Sequence, residues 1–191
     1  MTVASLTDEQ RNRLAPAFHE AGHAVVGVLH GATVGRAELV RGGPRTNPDG
    51  TFGSCRYQVF DFIAEAHRRD IVAAGTVAEA VIRLGPDPTP RQMDSVLTRN
   101  RSDRDEIQRL CFAAGEPVAV PTEVLPLVTR CWESIADLAL RLTQHGEADH
   151  TDVLAALKIP GGASADVTAH YAAAIRSGRA PGSFTITPAV A

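Results

Sequence analysis

The sequence predicts an α+β fold, mostly helical, in which one motif-bearing helix lies beside two or three short strands and the later helices form a C-terminal bundle. Two observations predict it. Apolar residues recur at helical spacing over most of the chain, while only Thr33 to Val40 and Thr51 to Phe60 have the β-branched and aromatic character of strands. Between those two segments lies a dense turn cluster, Gly42, Gly43, Pro44, Asn47, Pro48, Asp49 and Gly50, which reads as a hairpin or a pair of edge strands.

The first helix is expected between Thr7 and about Gly31. Thr7 can cap it, with Gln10 three residues on for a capping box, and Leu14, Phe18, Ala21, Val25 and Val28 then mark its apolar face. Pro16 is expected to divide this stretch, so that the helix proper starts near it. A second helix is expected from Asp61 to Leu84, broad and apolar through Ile71, Ala74, Val77, Ala78, Val81 and Ile82, and stopped by Gly85-Pro86. Further helices are read at Arg91 to Leu97, from Ser102 or Asp103 to Ala114, from Thr122 to Thr143, and from Thr151 to Lys158, with a polar loop at Thr98 to Ser102. Beyond Pro160 the chain is rich in Ala, Gly, Ser and Pro. Residues 1–160 are therefore read as the domain and 161–191 as an appendage with few anchors, holding one more helical segment at Val167 to Arg176.

Bulk composition excludes more than it selects. With 191 residues, 44% of them hydrophobic, the chain can bury one core, and a net charge of −3 gives no reason to expect nucleic acid or an anionic membrane surface as partner. The polar start, with Asp8, Glu9, Arg11 and Arg13, is unlike a secretory signal, and no apolar run reaches the roughly 18 residues of a membrane span. A cytoplasmic protein without a membrane anchor is expected. Cys55, Cys111 and Cys131 stand far apart, without C-x-x-C spacing, and read as buried free thiols.

One motif carries chemistry. His19-Glu20-Ala21-Gly22-His23 is an H-E-x-x-H sequence inside the first helical pattern, and residues four apart on a helix share a face, so both imidazoles can bind one zinc ion. Catalytic zinc takes three protein ligands and leaves a position for a water, whose pKa falls to about 7. Glu20, next to the first ligand, can take that water's proton and pass it to a leaving amine, which implies amide hydrolysis. On an apolar helix, two His and a Glu at this spacing would be costly to bury without a metal or polar partners. His30, His67, His145, His150 and His170 have no such spacing and read as surface or capping residues.

The third ligand is not a histidine of the extended motif, because Val26 and Leu29 occupy the positions three and six residues after His23. A glutamate on the following helix is one option, Glu65 or Glu79. The stretch Phe18 to Gly27 resembles the start of the peptidase domain of the FtsH-type proteases, which are ATP-dependent and membrane-anchored. Val34 to Gly43, Gly50-Thr51-Phe52-Gly53 and Ala74-Gly75-Thr76-Val77-Ala78-Glu79 resemble, in the same order, that family's first strand and turn, its edge strand and its buried glycine-containing helix. The resemblance covers about Arg13 to Thr143.

In that family the third zinc ligand is an aspartate at the start of the next long helix, and Ser102-Asp103-Arg104-Asp105-Glu106-Ile107 occupies its place. Asp103 shares a stripe with Ile107, Leu110, Cys111 and Ala114, which favours it over Asp105; a shifted helix start would reverse the choice. Asp103 could instead be an N-cap, with Glu106 completing a capping box. In a peptidase, an extended substrate is expected to add to the edge strand near Thr51 to Tyr57, with Thr51, Phe52 and Gly53 as the candidate substrate-binding residues.

No G-x-x-x-x-G-K-[ST] nucleotide loop occurs, so the expectation is an ATP-independent zinc metallopeptidase, an endopeptidase acting on peptides or unfolded protein. Two other readings share the sequence: a zinc hydrolase of a small-molecule amide, and a non-catalytic interaction module. The family's ring assembly makes a homo-oligomer a further option.

Overall fold

The computed structural model describes residues 6–41, 51–60 and 63–187, with the side chains of residues 40, 41, 51 and 52 also left aside. The turn cluster at 42–50, and Asp61 with its neighbour Phe62, lie outside the described residues.

Helix α1 (Asp8–Leu29) begins at the expected capping box: Thr7 accepts from the Gln10 amide, and the Gln10 side chain accepts from the Thr7 amide. Pro16 does not divide it. A proline removes the amide that would bond the carbonyl four residues earlier; that carbonyl belongs to Asn12, an exposed residue on the first turns, where water can take the amide's place. From Ala15 to Leu29 every residue of α1 is buried.

Strands β1 (Thr33–Arg41) and β2 (Thr51–Val59) pair antiparallel, with Leu39 opposite Gly53 and register irregularities between Thr33 and Arg36. A short third strand, β3 (Glu147–Ala148), pairs with Glu38 and Ala37 on the other side of β1, so the order is β2-β1-β3 and β2 is an outer strand. The chain reaches β3 through Gly146, whose φ of 81° an L side chain would resist, and the Gly146 carbonyl accepts from the Leu39 amide at 2.7 Å.

Helix α2 (Glu65–Leu84) starts later than predicted and packs along α1 more extensively than any other element does. The two helices close in at Gly22, where a Cβ would sit 2.6 Å from the Ala74 carbonyl oxygen. Helices α3 (Pro90–Leu97) and α4 (Arg101–Ala114) follow, α3 with its own Thr89/Gln92 capping box.

The long helix expected at Thr122 to Thr143 is three pieces: a 3-10 turn (Thr122–Val124), α5 (Leu125–Arg130) and α6 (Trp132–His145). Pro126 has no amide for the Thr122 carbonyl, which instead accepts from Leu125, one residue sooner, and the opening turn tightens. Cys131, at φ −93° and ψ 14°, separates α5 from α6. The apolar spacing runs through both breaks, because Val124, Val128, Cys131, Ile135, Leu138 and Leu142 are all buried.

After α7 (His150–Ala156) comes α8 (Ala165–Arg176), in the segment read as a loosely held appendage. It is anchored: Tyr171, Ala172 and Ile175 enter the core, Arg176 donates to the Leu29 carbonyl at the end of α1 at 2.6 Å, and Phe184 stacks on Tyr171. Alanines hid this, since a helix rich in Ala can bury a narrow stripe without a strong apolar pattern. Cys55 is half-buried, whereas Cys111 and Cys131 are buried, and all three are free. Among the described residues no helix is long and apolar enough to cross a membrane.

Candidate metal centre

Residues four apart on α1 put the His19 and His23 rings side by side, with their Nε2 atoms 3.0 Å apart. Asp103, in the first turn of α4, brings Oδ2 to 2.9 Å from His19 Nε2 and 3.3 Å from His23 Nε2. The sequence-predicted ligands His19, His23 and Asp103 therefore converge from two helices. Asp105 does not join them; it is exposed and pairs with Arg104. The N-cap reading of Asp103 is also overturned, because α4 begins at Arg101 with Asn100 ahead of it.

The outward nitrogens of both rings are already committed. His23 Nδ1 donates to the Ile71 carbonyl of α2 at 2.8 Å, and His19 Nδ1 donates to Glu79 Oε2 at 3.1 Å. These acceptors hold a proton on Nδ1, so each ring, in its neutral form, aims an Nε2 lone pair inward. The third group, Asp103 Oδ2, is buried and has no hydrogen-bond partner. Two ring nitrogens and a carboxylate oxygen thus face one point, an arrangement that is costly unless a cation, a proton or a metal ion, joins them. Donors around tetrahedral zinc, at bond lengths of about 2.0–2.1 Å, stand roughly 3.3 Å apart. The observed separations are of that size, and two imidazoles with one carboxylate are a donor set that suits zinc.

Charge favours a cation as well. Burial alone would lower the His19 pKa, but Asp103, Glu79 and Glu20 prevail and raise it well above its ordinary value. Burial likewise opposes ionisation of Asp103, but the His23 and His19 rings outweigh it and hold its carboxyl well below the usual range. Three carboxylates around two imidazoles call for positive charge, as protons or as a metal ion.

Glu79, considered from sequence as a ligand, stands behind His19 instead. Asn100 Nδ2 donates to its Oε2 and Arg83 Nε to its Oε1, each at 2.8 Å. Burial works against its charge, but the His19 and Asn100 hydrogen bonds and the Arg83 cation bring its pKa down to about 2. Glu65 lies at the exposed first turn of α2 and takes no part. Sequence reasoning missed Arg83 and Asn100. The four-residue spacing of Glu79 and Arg83 on one helix was a usable signal for the first; nothing local marked the second.

Glu20 is buried, and burial raises its pKa above the usual carboxylate value. Its side chain lies against β2, where a Cβ on Gly53 would come within 2.5 Å of Oε1. Alternate residues of a strand share a face, and Gly53, Cys55 and Tyr57 turn theirs toward α1. Tyr57 anchors that face: its hydroxyl donates to the His23 carbonyl at 2.8 Å, and its ring fills the space beside Gly27. Gly75 of α2 makes a similar allowance for His23, whose ring would overlap any Cβ placed there. Thr51 and Phe52 pair through their backbones with Arg41 and Val40 in the outer strand.

No protein-family model matches the chain, and no curated protein matches it.

Proposed function

We propose that this chain is a zinc-dependent, ATP-independent metallopeptidase, akin to the FtsH-type peptidase domain that its first helix resembles, and that it cleaves peptides or unfolded protein. The observation that carries this reading is the convergence of His19 Nε2, His23 Nε2 and Asp103 Oδ2, three potential metal ligands, next to the buried side chain of Glu20.

His19, His23 and Asp103 would hold the ion, and Glu79 and the Ile71 carbonyl would keep the two rings oriented. Zinc, when bound, supplies Lewis acidity that brings the pKa of water to about 7. Glu20 is the proton carrier. It accepts a proton from water as the water oxygen joins the carbonyl carbon, and returns it to the amide nitrogen as the carbon–nitrogen bond breaks. A carboxylate with a raised pKa holds that proton more readily than an ordinary one. The outer edge of β2, beside Glu20, offers backbone amides and carbonyls along which an extended peptide can lie.

The test is elemental analysis of purified protein together with cleavage of an unfolded model protein. The expected result is about one zinc at this centre, lost in His23→Ala and Asp103→Ala, with cleavage abolished and zinc kept in Glu20→Gln. Absence of zinc from this centre after zinc is supplied would overturn the reading. Zinc without cleavage would move it to a small-amide hydrolase or an interaction module.

A further inference from the structure

A second group of metal-ligating side chains lies outside the centre described above. His30, which follows the last residue of α1, stacks on His67 of α2 with ring centroids 4.3 Å apart, and Asp70 stands one turn on from His67. His30 Nε2 and His67 Nδ1 each lie 3.9 Å from Asp70 Oδ2, and the three ligand atoms are all within 4.8 Å of one another. From sequence these histidines read as surface or capping residues; the structure brings them together because α1 and α2 run side by side.

From this juxtaposition we infer that His30, His67 and Asp70 form a second binding site for a divalent transition-metal ion, separate from the His19, His23 and Asp103 centre. Two imidazoles and a carboxylate suit zinc, nickel or cobalt. The His30 side chain is only 7% exposed, and at 3.9 Å its Nε2 stops beyond hydrogen-bonding distance of Asp70. A ring nitrogen that stops short of its carboxylate neighbour leaves room for an ion between the two. The ligand atoms are farther apart than the roughly 3.3 Å of a closed tetrahedral site. His67, half exposed, has the freedom to rotate and close that gap.

The site is too far from the first to form a two-metal catalytic pair, whose ions stand about 3.5–4 Å apart. His23 and His30 are separated by almost two turns of α1, on the order of 10 Å. An ion here ties the end of α1 to the start of α2 and takes no part in hydrolysis. The inference stands on its own residues and does not need the peptidase reading.

Zinc uptake measured by equilibrium dialysis and elemental analysis, on wild type, His67→Ala, Asp70→Asn and His23→Ala, tests it, with circular dichroism confirming that each variant is folded. The expected result is two equivalents in wild type and one in each variant. A single equivalent in wild type, kept in His67→Ala and Asp70→Asn but lost in His23→Ala, would overturn the second site and leave the first. A single equivalent lost in His67→Ala and kept in His23→Ala would support the second site and overturn the first.

Discussion

Gly53 of β2 lies directly over the carboxylate of Glu20, so close that a Cβ at position 53 would stand 2.5 Å from Oε1. The strand and the residue proposed to carry the proton are therefore fitted to each other. Gly53→Ala should displace the Glu20 side chain while leaving the three ligands untouched. The expected outcome is unchanged zinc content with kcat/KM reduced at least about tenfold, roughly 1.4 kcal/mol of transition-state stabilisation. Steady-state cleavage alongside elemental analysis checks it.

Asp103 and Asp105 are two residues apart and are expected to behave oppositely. Asp103→Ala removes the carboxylate that meets both Nε2 atoms and should abolish tight zinc binding. Asp105→Ala removes an exposed side chain and should change zinc affinity little and stability by no more than about 0.5 kcal/mol. A competitive titration with a chromophoric chelator measures the first quantity, and urea unfolding the second.

Glu79→Gln should cost zinc affinity without removing a ligand. It keeps the shape of the side chain but loses the charge that holds the His19 Nδ1 proton, and partners of this kind are worth about 10–100-fold in metal affinity. Asn100→Ala, which removes one support of Glu79, should have a smaller effect in the same direction. The chelator competition reads both.

Gly75→Ala separates helix propensity from packing. Propensity alone favours alanine by up to about 1 kcal/mol in a helix interior. At this position its Cβ would meet the His23 ring, so the variant should bind zinc more weakly even if α2 is intrinsically favoured. Thermal unfolding with and without zinc gives the contrast: the zinc-induced rise in Tm should shrink.

Cys131, which belongs to neither cluster of ligands, gives a pH dependence of its own. Burial pushes its thiol from 9.0 up to about 12. The unfolded chain loses that proton near pH 9 and the folded chain keeps it, so the stability it confers is complete below pH 9 and declines as pH rises toward 12. Between pH 8 and pH 10.5 the wild type should lose more stability in urea than Cys131→Ala does.

The motif helix, the two main strands and the positions of the later helices were legible because each depends on local pattern: a capping box, a period of 3.6 or 2, a proline. His19, Glu20 and His23 were legible for the same reason, being one turn of one helix. Asp103 over Asp105 could be read from the buried stripe of α4, but only with its start placed correctly. Local pattern failed where the outcome depends on partners. Pro16 is tolerated because Asn12 is exposed, and Cys131 interrupts a helix whose apolar spacing never falters. Asn100 and the His30–His67 stack become visible only once α1, α2 and α4 are assembled.

The ligands are also ordered along the chain in a way that bears on the birth of the protein. His19 and His23 emerge from the ribosome before Asp103, which follows His23 after about eighty residues, and α2, which supplies Glu79 and the Ile71 carbonyl, must be folded between them. A nascent chain shorter than that holds two imidazoles with no third ligand and no fixed orientation. A zinc centre of the proposed kind therefore cannot mature until synthesis has passed Asp103, and a product truncated before that point would carry Glu20 without the third ligand.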